Sequence, residues 1–151
     1  MLRIAKFLIF IGIFLASAVI TAAQGPDLRK IESPLQEEFD FRIGQILSLN
    51  LHIDGIKWTV LKADAGDMTR WTAGKTTKTS FTNELENLTD TPLILSIILL
   101  LEDDRGRQLE RVELKRIKVG PGRYTQAIQK IKIDGGNLAD TAKVYIFAEV
   151  E

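Results

Sequence analysis

Residues able to support catalysis are sparse in this chain of 151 residues. It has one histidine, His52, and no cysteine, whereas the nucleophile–base pairs of hydrolases usually need a histidine. His52 stands just before an Asp-Gly pair in a strand-like segment, so we expect it on the polar face of a strand. The absence of cysteine also excludes disulfides and thiolate metal sites. The sequence therefore favours a protein that is not an enzyme and that holds neither a metal nor a cofactor.

Two short motifs look like ligand sites but lack the spacing that such sites need. Gly74-Lys75-Thr76 looks like the end of a phosphate-binding loop, but that pattern requires a glycine where Thr69 stands. We interpret this segment as a flexible loop. Glu102 to Asp104 could offer carboxylate oxygens to calcium. Because the spacing of an EF-hand is absent, we interpret them as an acidic turn that ends a hydrophobic strand and keeps it soluble.

Two further residues are candidates for modification or binding. Asn87-Leu88-Thr89 matches the N-glycosylation sequon, and the alternative is an asparagine that serves a turn. Trp71 is the one aromatic residue in a loop predicted over 64–78. Exposed aromatic side chains recur in sugar-binding and protein-binding sites, so Trp71 is a candidate contact residue. Alternatively, it folds back and caps one end of the domain.

The N-terminal segment is typical of a secretory signal peptide. Arg3 and Lys6 precede a mainly apolar stretch from Phe7 to Ala23 that ends in small residues. We predict cleavage after Ala23, or alternatively after Ala18, and hence an extracytoplasmic protein, periplasmic or secreted. An uncleaved segment would instead anchor the protein, since the apolar stretch is just long enough to span a membrane.

The charge balance argues against a polyanionic partner. The chain has 20 basic and 20 acidic residues, and removal of Arg3 and Lys6 leaves 18 basic residues. A near-neutral domain gives no electrostatic reason to bind nucleic acid, and we expect no basic face for anionic lipid. Contact with a membrane is therefore predicted only if the N-terminal segment remains uncleaved.

The most hydrophobic stretch after the signal runs from Leu93 to Leu101. It is too short for a transmembrane helix. Apolar residues occupy both of its alternating faces, which is typical of a central β-strand.

Upstream, an alternating pattern from Phe39 to Ile53 leads into Asp54-Gly55 and predicts one strand followed by a hairpin turn. The predicted pairs, all on one face, are Ile53 with Ile56, Leu51 with Trp58, and Leu49 with Val60.

The remaining pattern predicts an all-β protein. Strands are expected over Thr79–Asn87, Leu109–Val119, Tyr124–Ile133 and Lys143–Val150. Changes of phase at Lys115-Arg116 and after Ile128 predict β-bulges. Gly-, Pro- and Asp-rich turns separate the strands, and no long amphipathic helix lies between them. We predict an antiparallel, immunoglobulin-like β-sandwich of about seven strands. The predicted organisation of the chain is a signal peptide over 1–23, a linker over 24–38 and the sandwich domain over 39–151.

From Phe81 to Val150 the chain resembles the FxLYD-type domain and related immunoglobulin-like domains of bacterial exported proteins. The matching pieces are ELEN at Glu84–Asn87, ILLLEDDRG at Ile98–Gly106, VGPGRY at Val119–Tyr124 and VYIFAEV at Val144–Val150. In the signature itself Leu101 and Asp103 match, while Leu99 and Glu102 replace phenylalanine and tyrosine. The resemblance implies a sandwich fold, an extracytoplasmic location and an accessory or interaction role. It brings no catalytic residues.

The two-sided hydrophobic pattern leaves more apolar side chains than one core needs. The surplus set is Ile94, Ile98 and Leu100 of the central strand with Tyr145 and Phe147 of the last strand. Soluble monomers rarely expose large apolar patches. We expect the chain itself to cover this set, through Leu28 to Ile43 or through the Trp71 loop. The alternative cover is a second copy or another envelope protein.

These observations predict an exported, non-enzymatic domain that binds another envelope or secreted protein, or itself. The candidate contact residues are Trp71, Ile94, Ile98, Leu100, Tyr145 and Phe147. The alternative function is a carbohydrate-binding module that uses Trp71 and neighbouring aromatic residues.

Overall fold

The computed structural model describes residues 27–151, which form an all-β sandwich of two sheets. The predicted signal peptide lies outside these residues. The strands are β1 (Arg29–Ile31), β2 (Leu35–Asp40), β3 (Ile46–Ile53), β4 (Ile56–Ala63), β5 (Thr76–Asn87), β6 (Leu93–Glu102), β7 (Gln108–Val119), β8 (Tyr124–Asp134) and β9 (Lys143–Val150). A 3₁₀-helix covers Met68–Arg70, and helix α1 covers Gly135–Asp140. Neither of these helices within 27–151 is long and apolar enough to cross a membrane.

One sheet has five strands in the order β1-β3-β4-β5-β8, and the other has four in the order β2-β9-β6-β7. Neighbouring strands are antiparallel except for β1 and β3, which are parallel. Alternate residues of both sheets point inward and form one hydrophobic core. Trp58 and Phe81 are its largest fully buried side chains. Burial of each large apolar side chain contributes about 1.5–3 kcal/mol.

The prediction for the most hydrophobic strand is confirmed. Strand β6 lies between β9 and β7, in the interior of its sheet. Its odd-numbered residues from Leu95 to Leu101 are buried, while the even-numbered ones are half-buried on the outer face. Strand β9 repeats this pattern beside it. The two-sided hydrophobicity therefore reflects an interior position among strands.

The Asp54-Gly55 hairpin is confirmed at two of its three predicted pairs. Ile53 lies opposite Ile56, and Leu51 lies opposite Trp58. The third pair is wrong, because a β-bulge shifts the register between Ser48 and Leu51. Val60 consequently lies opposite Ser48 and points outward, while Leu49 stays buried.

Replacing Gly55 with valine should lower the stability of the fold. Asp54 and Gly55 have φ angles of +38° and +92°, and strain of this kind costs about 1–3 kcal/mol for a branched residue. A Cβ at Gly55 would also lie 2.5 Å from Cγ2 of Thr89. Gly122→Val is the matched control, since Gly122 has a φ of +60° but no atom near its Cβ position. Urea denaturation should show a larger loss for Gly55→Val, and an unchanged midpoint would contradict the tight turn.

The segment predicted to be a linker contains two strands instead. Strand β1 pairs with β3, and β2 pairs with β9 in the other sheet, with Leu35 buried. The crossing between sheets is fixed at Ser33, whose N–H donates to Oδ2 of Asp54 at 3.0 Å. Its Oγ accepts the N–H of Val150 at 3.0 Å. The polar run QEE in β2 hides the alternation of apolar residues that would mark this segment as a strand.

The alternating pattern from Phe39 to Ile53, predicted to be one strand, belongs to two strands in different sheets. Strand β2 ends at Asp40 and β3 begins at Ile46, so the chain leaves one sheet and enters the other between them. Phe41 and Ile43 remain buried in this connection. Burial of a connecting segment therefore imitates the alternation of a continuous strand.

Of the two predicted bulges, only that at Lys115-Arg116 is present. The backbone of Lys115 pairs there with the side chain of Gln129, whose Nε2 donates to the Lys115 carbonyl at 2.8 Å. The Lys115 N–H donates to Oε1 of the same amide. This contact joins the edge strands β7 and β8 of the two sheets. Strand β8 itself has a regular register with β5, and Ile128 points outward because that face is solvent-exposed.

Candidate functional site

The surplus apolar side chains lie on the outer face of the four-stranded sheet. Phe147 lies opposite Ile98, and Tyr145 lies opposite Leu100. Ile94 lies further along β6, separated from Ile98 by Ser96 and its cross-strand partner Glu149, and all five apolar side chains are half-buried. We call these five residues the apolar strip. It occupies the two inner strands, which places its aromatic side chains at the centre of the face.

Polar residues border the apolar strip on both sides. The cross-strand rows are Gln36–Phe147–Ile98–Glu113 and Glu38–Tyr145–Leu100–Arg111. Strand β2 also carries Asp40, and β7 also carries Lys118. An apolar centre with aromatic residues inside a polar rim is the usual anatomy of a protein–protein interface.

The predicted cover of this face by the chain itself is wrong for residues 27–151. Strand β2 does not cross the face, because it hydrogen-bonds edge to edge with β9 and widens the sheet. The Trp71 loop joins β4 to β5, which belong to the opposite sheet. Pairing with β9 satisfies the backbone N–H and C=O groups of Leu35–Asp40 that point toward β9, and a segment laid across the face would lack these partners.

A charged cluster closes one end of the apolar strip. Lys143 Nζ donates to Oε1 of Glu38 at 2.7 Å. This hydrogen bond lowers the pKa of Glu38 and raises that of Lys143. Burial raises the pKa of Glu102, which lies opposite Lys143, and the neighbouring Glu38 carboxylate raises it further. Acidification therefore protonates Glu102 before Glu38.

Trp71 lies apart from the other predicted contact residues. Its side chain is half-buried against the core, and its Nε1–H donates to the carbonyl of Ala65 at 2.9 Å. The loop is held closely against α1, because a Cβ at Gly135 would lie 1.8 Å from the carbonyl oxygen of Arg70. Trp71 thus packs back onto the domain, and its indole N–H is already used.

The sequon asparagine is part of the protein interior. Asn87 is fully buried, and its Nδ2 donates to the carbonyls of Thr91 at 2.7 Å and Val119 at 3.0 Å. Its Oδ1 accepts the N–H of Thr89 at 2.9 Å. This geometry favours the interpretation of Asn87 as a turn residue. In the folded domain its amide is not accessible for glycosylation.

The acidic turn is organised by its own backbone. Asp103 Oδ1 accepts the N–H groups of Arg105 at 3.0 Å and Arg107 at 2.8 Å. The hydrogen bond from the Arg107 N–H is the main cause that lowers the pKa of Asp103. Within 27–151 no group of three acidic or histidine side chains is arranged to hold a metal ion. The Asp103 carboxylate thus closes the turn, as the acidic-turn interpretation requires.

The two remaining sequence candidates lie on the five-stranded sheet or next to it. His52 points outward from β3 between Lys30 and Lys57, so its predicted place on the polar face is confirmed. Lys75 is exposed in the loop before β5, and Thr76 begins that strand. The segment after Thr76 is therefore a strand, whereas a phosphate-binding loop of this type precedes a helix.

One core residue is unusual because its polar side chain is buried without hydrogen-bond partners in the described part of the chain, which the sequence pattern does not predict. Asn83 is fully buried on β5, and neither its Nδ2 nor its Oδ1 has a hydrogen-bond partner in residues 27–151. The alternation of β5 does predict that position 83 points inward.

No protein-family model matches this chain, and no curated protein matches it significantly.

Proposed function

We propose that this protein is an exported, immunoglobulin-like accessory domain that binds another protein through the apolar strip. The observation that supports this proposal is the outer face of the four-stranded sheet. Four half-buried apolar side chains lie there in two opposed pairs within a polar rim, Ile94 lies beyond Ser96, and no segment of 27–151 crosses them. The nine strands of residues 27–151 lie in two sheets, and the repeated crossings of the chain between these sheets support the immunoglobulin-like assignment. A non-enzymatic role agrees with the single histidine and the absence of cysteine.

The carbohydrate-binding alternative receives less support from the geometry. A sugar site needs an accessible aromatic face together with free polar groups, but the indole N–H of Trp71 already donates within its own loop. Tyr145 and Phe147 stand among aliphatic residues of the apolar strip. Such a surface suits apolar protein side chains better than sugar hydroxyl groups.

The rim charges indicate which partner fits the surface. The β2 edge contributes the acids Glu38 and Asp40, while the β7 edge contributes Arg111 and Lys118 around Glu113. A two-fold axis along the strands would place the β2 edge of one copy over the β7 edge of the other. By the strand register, Glu38 of one copy would then face Arg111 of the other across a self-complementary contact, while Asp40 and Lys118 would lie at opposite ends of it. We therefore propose a second copy of the chain as the partner.

The proposal is tested by changing Ile98 to serine and Phe147 to threonine together. Loss of a central interface aromatic typically costs about 2 kcal/mol, so we expect dimer affinity to fall by at least about 30-fold. Sedimentation velocity over a range of protein concentrations measures the association. Urea denaturation of the monomer, measured separately, should show a retained fold.

The matched control changes Ile46 to serine and Ile128 to threonine on the outer face of the other sheet. These side chains are 64% and 57% exposed, and this variant should associate like the wild type. Unfolding of the Ile98/Phe147 variant would assign the apolar strip to the core and remove the support for a partner. A wild-type monomer at all concentrations would exclude the second copy. Co-purification from the native host would then show whether a different protein binds this face.

A further inference from the structure

The two sheets differ in the charge of their outer faces. The outer face of the five-stranded sheet carries the basic residues Lys30, Lys57, Lys62, Lys78, Lys130 and Lys132 and the acidic residues Glu84, Glu86 and Asp134. Lysines outnumber the acidic residues on this face, which the near-neutral composition of the chain does not predict. The balanced composition hides this segregation, because alternation along each strand sends neighbouring charges to opposite sides of the sheet.

Two of these lysines, Lys78 and Lys132, line a groove of about 450 Å³ beside the start of β5. It is lined by Asp67, Arg70, Thr76, Thr77, Lys78 and Lys132. Lys78 and Lys132 lie directly opposite each other on β5 and β8, and Lys130 is the next outward residue of β8. Like charges in directly opposed positions destabilise a sheet. The fold therefore maintains a repulsive pair at the wall of a groove.

The nearby carboxylates accept hydrogen bonds from other groups, and the pKa of Asp67 is lowered by its hydrogen bonds with Thr69 and by the charge of Arg70. Asp67 accepts the N–H of Thr69 at 3.1 Å and its hydroxyl at 2.6 Å. Asp134 accepts the N–H of Gly74 at 2.6 Å and that of Gly136 at 2.9 Å. The ion pairs formed within 27–151 do not include Arg70, Lys78 or Lys132.

We propose that this groove binds a multiply charged oxyanion of the phosphate or sulfate class. Arg70, Lys78 and Lys132 would supply the positive charge, and the hydroxyl of Thr76 would add a hydrogen-bond donor. An ammonium group offers three donors, and a guanidinium group can contact two oxygens of one anion. Such an anion would relieve the repulsion between Lys78 and Lys132. This site is independent of the apolar strip, which lies on the opposite sheet.

The proposal is tested with tripolyphosphate in isothermal titration calorimetry at low ionic strength, where charges are least screened. We expect saturable binding by the full chain and at least a tenfold loss of affinity in Lys78→Glu. The denaturation midpoint of this variant should not fall, because the new carboxylate lies opposite Lys132. Lys30→Glu makes the same change of charge on β1, at the far edge of the same sheet, and should bind like the wild type. Absence of saturable binding, or equal losses in both variants, would overturn the proposal.

A second experiment distinguishes an anion that belongs to a polymer from one that is free in solution. Dextran sulfate presents sulfate groups on a polymer long enough to reach Lys130, which lies outside the groove lining. If the anion belongs to a polymer, Lys130→Glu should weaken binding of dextran sulfate and leave binding of tripolyphosphate unchanged. If the anion is free, the two ligands should respond to Lys130→Glu alike.

Discussion

Replacing Asn83 with aspartate should destabilise the domain by about 3–5 kcal/mol, the usual cost of an unpaired charge in a protein interior. Asn83 is 0% exposed, and it lies between Leu61 on β4 and Ala127 on β8. Neither polar atom of its side chain has a partner in residues 27–151. A carboxylate at this position would lose its hydration and gain no compensating contact. Urea denaturation at neutral pH measures the loss.

The same argument predicts that Asn83→Val stabilises the domain by about 1–3 kcal/mol, which is the cost of leaving a buried polar group unsatisfied. Valine also suits a β-strand. Thr82→Val is the control, since residue 82 points outward beside Asn83 and a surface change usually alters stability by about 0.5 kcal/mol or less. A stability loss in Asn83→Val would show that Asn83 has a hydrogen-bond partner, such as a buried water.

Asn87→Ala should cost about 2–4 kcal/mol, because it removes three side-chain hydrogen bonds to backbone groups that each contribute about 1 kcal/mol. The substitution also leaves the carbonyls of Thr91 and Val119 without these donors. Asn87→Asp keeps the acceptor for Thr89 and loses both donors, so it should be destabilised as well. Thermal denaturation compares the variants.

Leu88→Ala is the control for this position, since Leu88 is 47% exposed and its truncation should change stability little. An Asn87→Ala variant as stable as Leu88→Ala would show that the turn does not depend on the asparagine.

The sequence predicts the fold best where local geometry alone decides the structure. Strand β6 is apolar on both faces because it lies between two other strands, and this shows directly in its residues. Asp54-Gly55 fixes its turn through backbone conformations that few residues adopt, which sets the first two pairs of the hairpin. Such features depend on neighbours in the chain and need no knowledge of the distant partners of a strand.

Features that depend on distant partners could not be predicted in this way. The irregularity that turns Val60 outward shows only in the pairing of β4 with its neighbours β3 and β5. Ile128 lies on the outer face of β8 because of the register with β5, although its apolar character favoured another phase. Strand β2 is recognised by its pairing with β9, since its charged residues resemble those of a linker.

The candidate sites follow the same distinction. Alternation predicts that Ile98 and Phe147 share a face, whereas their position opposite each other requires the register of β6 with β9. The basic groove depends on Lys78 meeting Lys132 across two strands that are far apart in the sequence. Composition alone could only report that the charges cancel.

The pairing of Gln129 with the backbone of Lys115 has a consequence for aggregation. Edge strands with free N–H and C=O groups are templates on which strands of other molecules can add. The Gln129 amide donates and accepts at Lys115 as a neighbouring strand would. A strand of another molecule that adds to β7 at this position must first displace that amide. The contact therefore protects this edge strand against intermolecular β-sheet extension.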